Sequence, residues 1–286
     1  MSRQRTIVGI GEAMMAEYPD REEPAGLAVL VPIHAVRLGH AGVVVSRVGQ
    51  DQTATDLLAR LAKLGVETSH VQSDPDLATG RLQMSSLRGK APSGLEARAA
   101  FDNLQWDFDL EDLAQVADAV VLGAVATREG QARLVVNRFL SECHRAFRIF
   151  DLTKRAGDTL DRDNLRSTLQ STDAAVIDRP ALEALLPAAR DRSPRDAALE
   201  LMRRDDLRFV VAANAGEPLT VHTDDRAWSS DQPHRADTHE AAVIGLVHGI
   251  MAGWNFPACL EVASRVSKHA VDHPDEPVPA HLLGGG

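Results

Sequence analysis

Ile7-Val8-Gly9-Ile10-Gly11 is a short apolar run that ends on glycine and reads as a strand. Further along, Gly42-Val43-Val44-Val45-Ser46-Arg47-Val48 reads as a second strand. A helical period follows it, with Leu57, Leu58, Leu61 and Leu64 apolar and Gly65 in the stop position. The alternation continues through Ala119-Val120-Val121-Leu122 and then a helix over roughly 129–145, with Ala132, Val135, Val136, Phe139, Leu140 and Cys143 on its apolar side. Strand candidates recur at 147–150, 174–177, 209–213 and 219–222. Ser193-Pro194-Arg195-Asp196 carries a helix cap, and two apolar helices span 241–254 and 257–271. Strands separated by helices imply an α/β fold with a mostly parallel central sheet and helices on both faces. Ligands of such sheets lie beyond the carboxyl ends of the strands. That rule singles out Gly11-Glu12, Gly49-Gln50-Asp51, Gly123, Asp151, Asp178 and Asn214. The stretch 79–106 breaks the rhythm: Arg81 to Leu87 alternates like a strand and Gly89 to Gly94 is turn-like, as in an inserted β-flap.

Composition narrows the function. The 286 residues are 44% hydrophobic and 25% charged, enough for a large core, and the formal net charge is -10. So acidic a surface repels phosphate backbones and anionic lipid, which argues against nucleic-acid and membrane partners. Only 4% of residues are aromatic, too few for base-stacking platforms. Cys143 and Cys259 are the two cysteines, both on apolar helix faces; they read as core thiols in a reducing, cytoplasmic setting. The first residues hold no signal-peptide apolar region, and no stretch nears the roughly 20 apolar residues of a membrane span.

The order of elements resembles the pfkB (ribokinase-like) carbohydrate kinase family over nearly the whole chain. The similarity rests on Ile7 to Ala13; on Arg37-Leu38-Gly39-His40, Val48-Gly49-Gln50-Asp51 and Leu64 to Val71; on Thr79-Gly80-Arg81; on Phe150 to Arg155; and on Asp237-Thr238 followed by the helix from Ala241. The resemblance implies one ribokinase-like domain over 1–286, a Rossmann-type three-layer sandwich. It also implies a small, reduced β-lid inserted at about 79–106, with a remnant near 16–30. Family members transfer the γ-phosphate of ATP to a sugar or nucleoside hydroxyl with Mg2+. In them a G-A-G-D sequence supplies the aspartate base and an anion hole at a helix N-terminus.

This chain departs from that pattern at its chemical positions. Asp237-Thr238-His239-Glu240 stands where the family has G-A-G-D, so Glu240 takes the place of the base and His239 that of a glycine. The N-x-x-E segment falls on Asp178-Arg179-Pro180-Ala181, and T-x-G on Ala212-Ala213-Asn214. The sugar-binding G-G-x-x-x-N becomes Ala25-Gly26-Leu27-Ala28-Val29-Leu30, and the asparagine of D-x-N-x-R is Thr153. Losing one preorganised group costs about 10²–10³ in rate. The expectation is a carbohydrate-kinase homologue impaired in catalysis that acts by binding or regulation. The alternative is an active ATP-dependent sugar kinase with Glu240 as base.

The resemblance assigns candidate roles: Glu240 and Asp237 to catalysis; Gly26, Glu12, Asp151 and Arg155 to a sugar or sugar acid; Asn214, Thr238 and His239 to nucleotide. No metal ligand set is expected, and ATP and Mg2+ enter only if the chain is active. A homodimer through lid strands is a family habit. Each role has a plainer rival. Glu240 also suits a solvated first helical turn, and Asp237 a helix cap. Arg155 also suits an ion pair with Asp158 or Asp161. His234, His239 and His248 lie close in sequence, and His269 and His273 share a helix face without a metalloprotease pattern. Arg203-Arg204-Asp205-Asp206 reads as a solvated helix end.

Overall fold

The computed structural model describes residues 4–84, 98–153, 162–274 and 276–284, and 92–95 by their backbone. In chain order the elements begin with β1 (Thr6–Ile10), β2 (Met14–Glu17), β3 (Glu22–Ala25), α1 (Leu27–Arg37), β4 (Ala41–Gly49), α2 (Gln52–Lys63), β5 (Val71–Asp74), β6 (Gly80–Met84) and β7 (Pro92–Leu95). They continue with α3 (Phe108–Val116), β8 (Ala119–Gly123), α4 (Gly130–Glu142), β9 (Phe147–Asp151), α5 (Arg162–Leu169), β10 (Ala174–Ile177) and α6 (Arg179–Leu185). The last are α7 (Pro194–Asp205), β11 (Phe209–Ala212), β12 (Pro218–His222), β13 (Ala227–Pro233), α8 (His239–Met251) and α9 (Phe256–Asp272).

The central sheet has the order β13-β12-β11-β10-β9-β8-β1-β4-β5. From β11 to β5 every pairing is parallel; β12 and β13 close one side as an antiparallel hairpin. Strand alternation divides the core into two layers. On β8, Val120 and Leu122 face Phe139 and Leu140 of α4, while Ala119 and Val121 face the side of α1, α8 and α9. The three-layer architecture expected from the sequence is therefore present. A second sheet, β3-β2-β6-β7, gathers residues near 16–30 with the insertion after Thr79. Its strand bounds differ from the sequence reading: Pro92 and Gly94 lie in β7 rather than in a turn, because their backbone pairs with β6. Residues 85–91 lie outside the described residues.

Helix α1 lies very close to β1 and β4. A Cβ on Gly42 would sit 2.2 Å from the Pro32 carbonyl oxygen, and one on Gly9 would sit 2.6 Å from that of Ala28. Glycine at these two positions lets the helix backbone rest on the sheet.

The charge run 203–206 is not simply solvated. Asp205 is buried and bonded by Arg204 at 2.6 Å, while Arg203 and Asp206 are exposed, Asp206 ending α7 at φ 57. Both thiols are buried, and burial raises Cys143 to about 12 and Cys259 to about 11, so they stay protonated. No helix among the described residues is long and apolar enough to cross a membrane.

Candidate functional site

Because β4, β1, β8, β9, β10 and β11 are consecutive neighbours, the residues that follow them form a row along one rim. The residues of that row have different employments. Asp51 caps α2 through Ala54 N–H at 2.8 Å and accepts from the Thr79 backbone and hydroxyl, each at 2.8 Å. Burial pushes this carboxyl up, but the hydrogen bonds from Thr79 and Ala54 outweigh it and hold it below its usual range. It thus fastens the second sheet to the first. A cavity of about 410 Å³ opens beside it, lined in part by Gly49, Gln50, Thr55 and Gln72.

Glu12 is buried and accepts the Leu27 N–H, the first of α1, at 3.0 Å. Gly26, at φ 94, lies directly against it; a Cβ there would meet the Glu12 carbonyl oxygen at 2.2 Å. The two sugar-site candidates Glu12 and Gly26 are thus brought together. Arg155 lies outside the described residues.

Asp178 and Asn214 serve the turn between β10 and α6. The Asp178 carboxylate caps α6 through Ala181 N–H at 2.8 Å. Asn214 accepts from Arg179 N–H at 2.7 Å and donates to Glu217 at 2.9 Å, so its amide is engaged on both sides. Asp178→Ala is expected to cost about 1 kcal/mol, the usual worth of such a cap. A thermal melt should fall by about 2–4 °C.

The centre of the rim is occupied by a chain of buried polar groups. His239 is the first residue of α8. Its Nε2 lies 2.5 Å from Asp151 Oδ2, and its Nδ1 lies 3.0 Å from His234 Nε2. Asp151 Oδ1 accepts from the Thr153 N–H at 3.0 Å and from its hydroxyl at 2.7 Å. One proton arrangement satisfies this geometry with both rings neutral: His234 Nε2–H donates to His239 Nδ1, and His239 Nε2–H donates to Asp151. Burial, followed by the neighbouring His239, holds His234 down at about 4, against the pull of Asp151. Thr238 turns away, its hydroxyl 2.6 Å from that of Ser267 on α9.

Glu240 is buried rather than solvated. It faces His34 of α1, which burial and Arg37 lower to about 4 while Glu240 pulls the other way. Asp237, read alternatively as a helix cap, does not cap α8. It lies exposed in a 3-10 turn, bonded by Arg235 at 3.0 and 2.5 Å, a contact that lowers its carboxyl. Among the described residues no group of three or more His, Cys, Asp or Glu is arranged to hold a metal ion.

The sequence reading noticed the neighbouring histidines but not their partners. His234 joins His239, whereas His248 joins His40, some two hundred residues away. Ser267 and His34 carried no local signal, because helix packing alone brings them to α8.

The model of the pfkB family carbohydrate kinases matches residues 21–203. A search of curated proteins gave no match. Among solved structures, the PfkB protein from Polaromonas sp. JS666 aligns with a TM-score of 0.78 at 19% identity, covering 95% of this chain and 97% of that one. Fructokinase from Vibrio cholerae gives 0.78 at 16%, covering 96% and 100%. A ribokinase II candidate from E. coli, in complex with ATP and Mg2+, gives 0.75 at 16%, covering 99% and 96%. These likenesses concern the fold, while the family match spans more than half of the residues: the chain belongs to the pfkB family of carbohydrate kinases.

Proposed function

We propose that this pfkB-family chain is a cytoplasmic binding or regulatory protein for a small sugar or sugar acid, with phosphoryl transfer lost or strongly impaired. The observation that carries the reading is the buried His239 imidazole, held between Asp151 and His234 at the first turn of α8. A phosphate bound at a helix N-terminus needs bare amides turned toward it. Here that place holds a side chain with both ring nitrogens engaged. The residues present do not fit a triphosphate. Asn214, the other nucleotide candidate, is committed to Arg179 and Glu217. The sugar or sugar-acid ligand follows from the substrate class of the family, and Glu12 and Gly26, side by side at the start of α1, are the residues proposed to lie nearest it.

A second reading is an active sugar kinase that uses Glu240 as base with ATP and Mg2+. It is favoured by the burial of Glu240 in the first turn of α8. Isothermal titration with millimolar Mg·ATP, followed by a coupled ADP-release assay over a panel of sugars and sugar acids, separates the two. The expected result is no nucleotide heat and no turnover above background. Turnover that vanishes in Glu240→Gln would establish the kinase instead.

A further inference from the structure

The outer surface of α3 and α4 carries apolar groups that the core does not use. Among the described residues four large apolar side chains stand exposed, and three of them lie here: Phe108 at 83% and Val116 at 64% on α3, and Leu134 at 67% on α4. The two helices bury their other faces in one core layer, through Leu110 and Leu113 on α3 and Val135 and Phe139 on α4. α3 ends just before β8 begins and α4 starts after β8 ends, so both run against that strand and parallel to each other. Arg138 of α4 fixes their relative level. Its guanidinium carbon lies 4.2 Å from the Trp106 ring centre, and it reaches the Glu111 carboxylate at 4.0 Å. Phe108 stands one turn before Glu111, and Leu134 one turn before Arg138, so the two share a level on the outer surface. Single exposed apolar residues are ordinary, whereas a group of them marks an interaction surface.

Charge says what covers this one. α3 and its cap hold Asp107, Asp109, Glu111 and Asp112 and no base. α4 carries Arg133 and Arg138 along its length, with Glu142 at its end. Glu111 and Arg138 face each other across the two helices, but among the described residues Asp109, Asp112 and Arg133 make no ion pair. An acidic helix beside a parallel basic one is complementary to itself. A half-turn about an axis normal to the surface lays α3 of each copy across α4 of the other. The unpaired carboxylates then meet unpaired guanidinium groups at two equivalent crossings, and Phe108 and Leu134 are covered between them. We infer that the α3–α4 surface is a twofold contact between two copies of this chain.

Its size sets its strength. With 9 and 13 residues the helices are about 14 and 20 Å long, and side by side they offer roughly 400 Å² per copy. A standard interface takes about 800 Å² from each partner. The dimer is therefore weak and dissociates on dilution.

Sedimentation velocity on the full chain tests this. The mass should pass from monomer to dimer between about 1 and 300 μM. Phe108→Ser and Leu134→Ser should each raise the midpoint concentration about tenfold or more, since each deletes an apolar anchor from both sides of the twofold. Both positions are exposed, so the thermal melts of these variants should match wild type. Asp112→Arg and Arg133→Glu should each dissociate alone and associate when mixed, because only the mixed pair has opposite charges at both crossings. Three results overturn the contact: a monomer at every concentration, a dimer indifferent to Phe108→Ser and Leu134→Ser, or a mixture of the charge variants no more associated than its components.

Discussion

Acidification from pH 6.5 toward 4 is expected to remove most of the stability of this protein. His34, His40 and His234 are each lowered from 6.5 to about 4, in every case chiefly by burial. The sign follows from linkage. A histidine whose folded pKa lies below its unfolded one binds more protons when unfolded, so its contribution is complete above pH 6.5 and is lost as pH falls to 4. A shift of this size is worth about 3 kcal/mol per group. Three such groups together approach the 5–15 kcal/mol that holds a typical domain. Carboxylates act in a lower window: Asp74 is pushed up by burial but brought to about 2 by the hydrogen bonds from Asn103 and the backbone and by Arg47, so its share is lost only below pH 4. Thermal melts at pH 7, 6, 5 and 4.5 should show a steep, continuous fall. A melting temperature that stays flat to pH 4.5 would refute this account.

Gly42→Ala is expected to destabilise the protein strongly. The new Cβ meets the Pro32 carbonyl at 2.2 Å, with the Pro32 carbonyl carbon at 2.8 Å. These are backbone atoms in the middle of α1, so the helix must lift from β1 and β4 to make room. Overpacking of this kind costs about 3 kcal/mol or more. For a chain of this size, the melting temperature should drop by about 6–12 °C. Gly130→Ala is the control: it starts α4, where a Cβ meets nothing nearer than the Arg133 guanidinium at 3.9 Å. Equal melts for the two variants would show that α1 yields freely.

Much of the fold was legible because its signals are local. Ala119 to Leu122 and Ala174 to Ile177 are apolar without interruption and are central strands. Ser193 caps α7 through the Asp196 N–H at 3.1 Å, as its sequence predicts. The outer strand β13 was not anticipated: Ser229, Ser230, Asp231 and Gln232 lack β-branched apolar residues, and pairing with β12 supplies what propensity does not. The rim positions were likewise predictable from strand ends, but not the bonds between them. His239 read as the replacement of a family glycine; that it spans Asp151 and His234 depends on where β9 and the turn before α8 meet. Glu240 also suited a solvated first turn, and its burial depends on packing that the local sequence does not show.

The smaller sheet carries a consequence for self-association. β3 lies at its margin, and a neighbouring copy adding a strand there would need free amides and carbonyls. Pro24 has no N–H to give, Arg60 already occupies the Glu22 carbonyl, and the Glu23 carboxylate stands exposed with Arg21 on it. Such a margin rejects strand addition. Two copies that meet are not expected to join by adding a strand at β3.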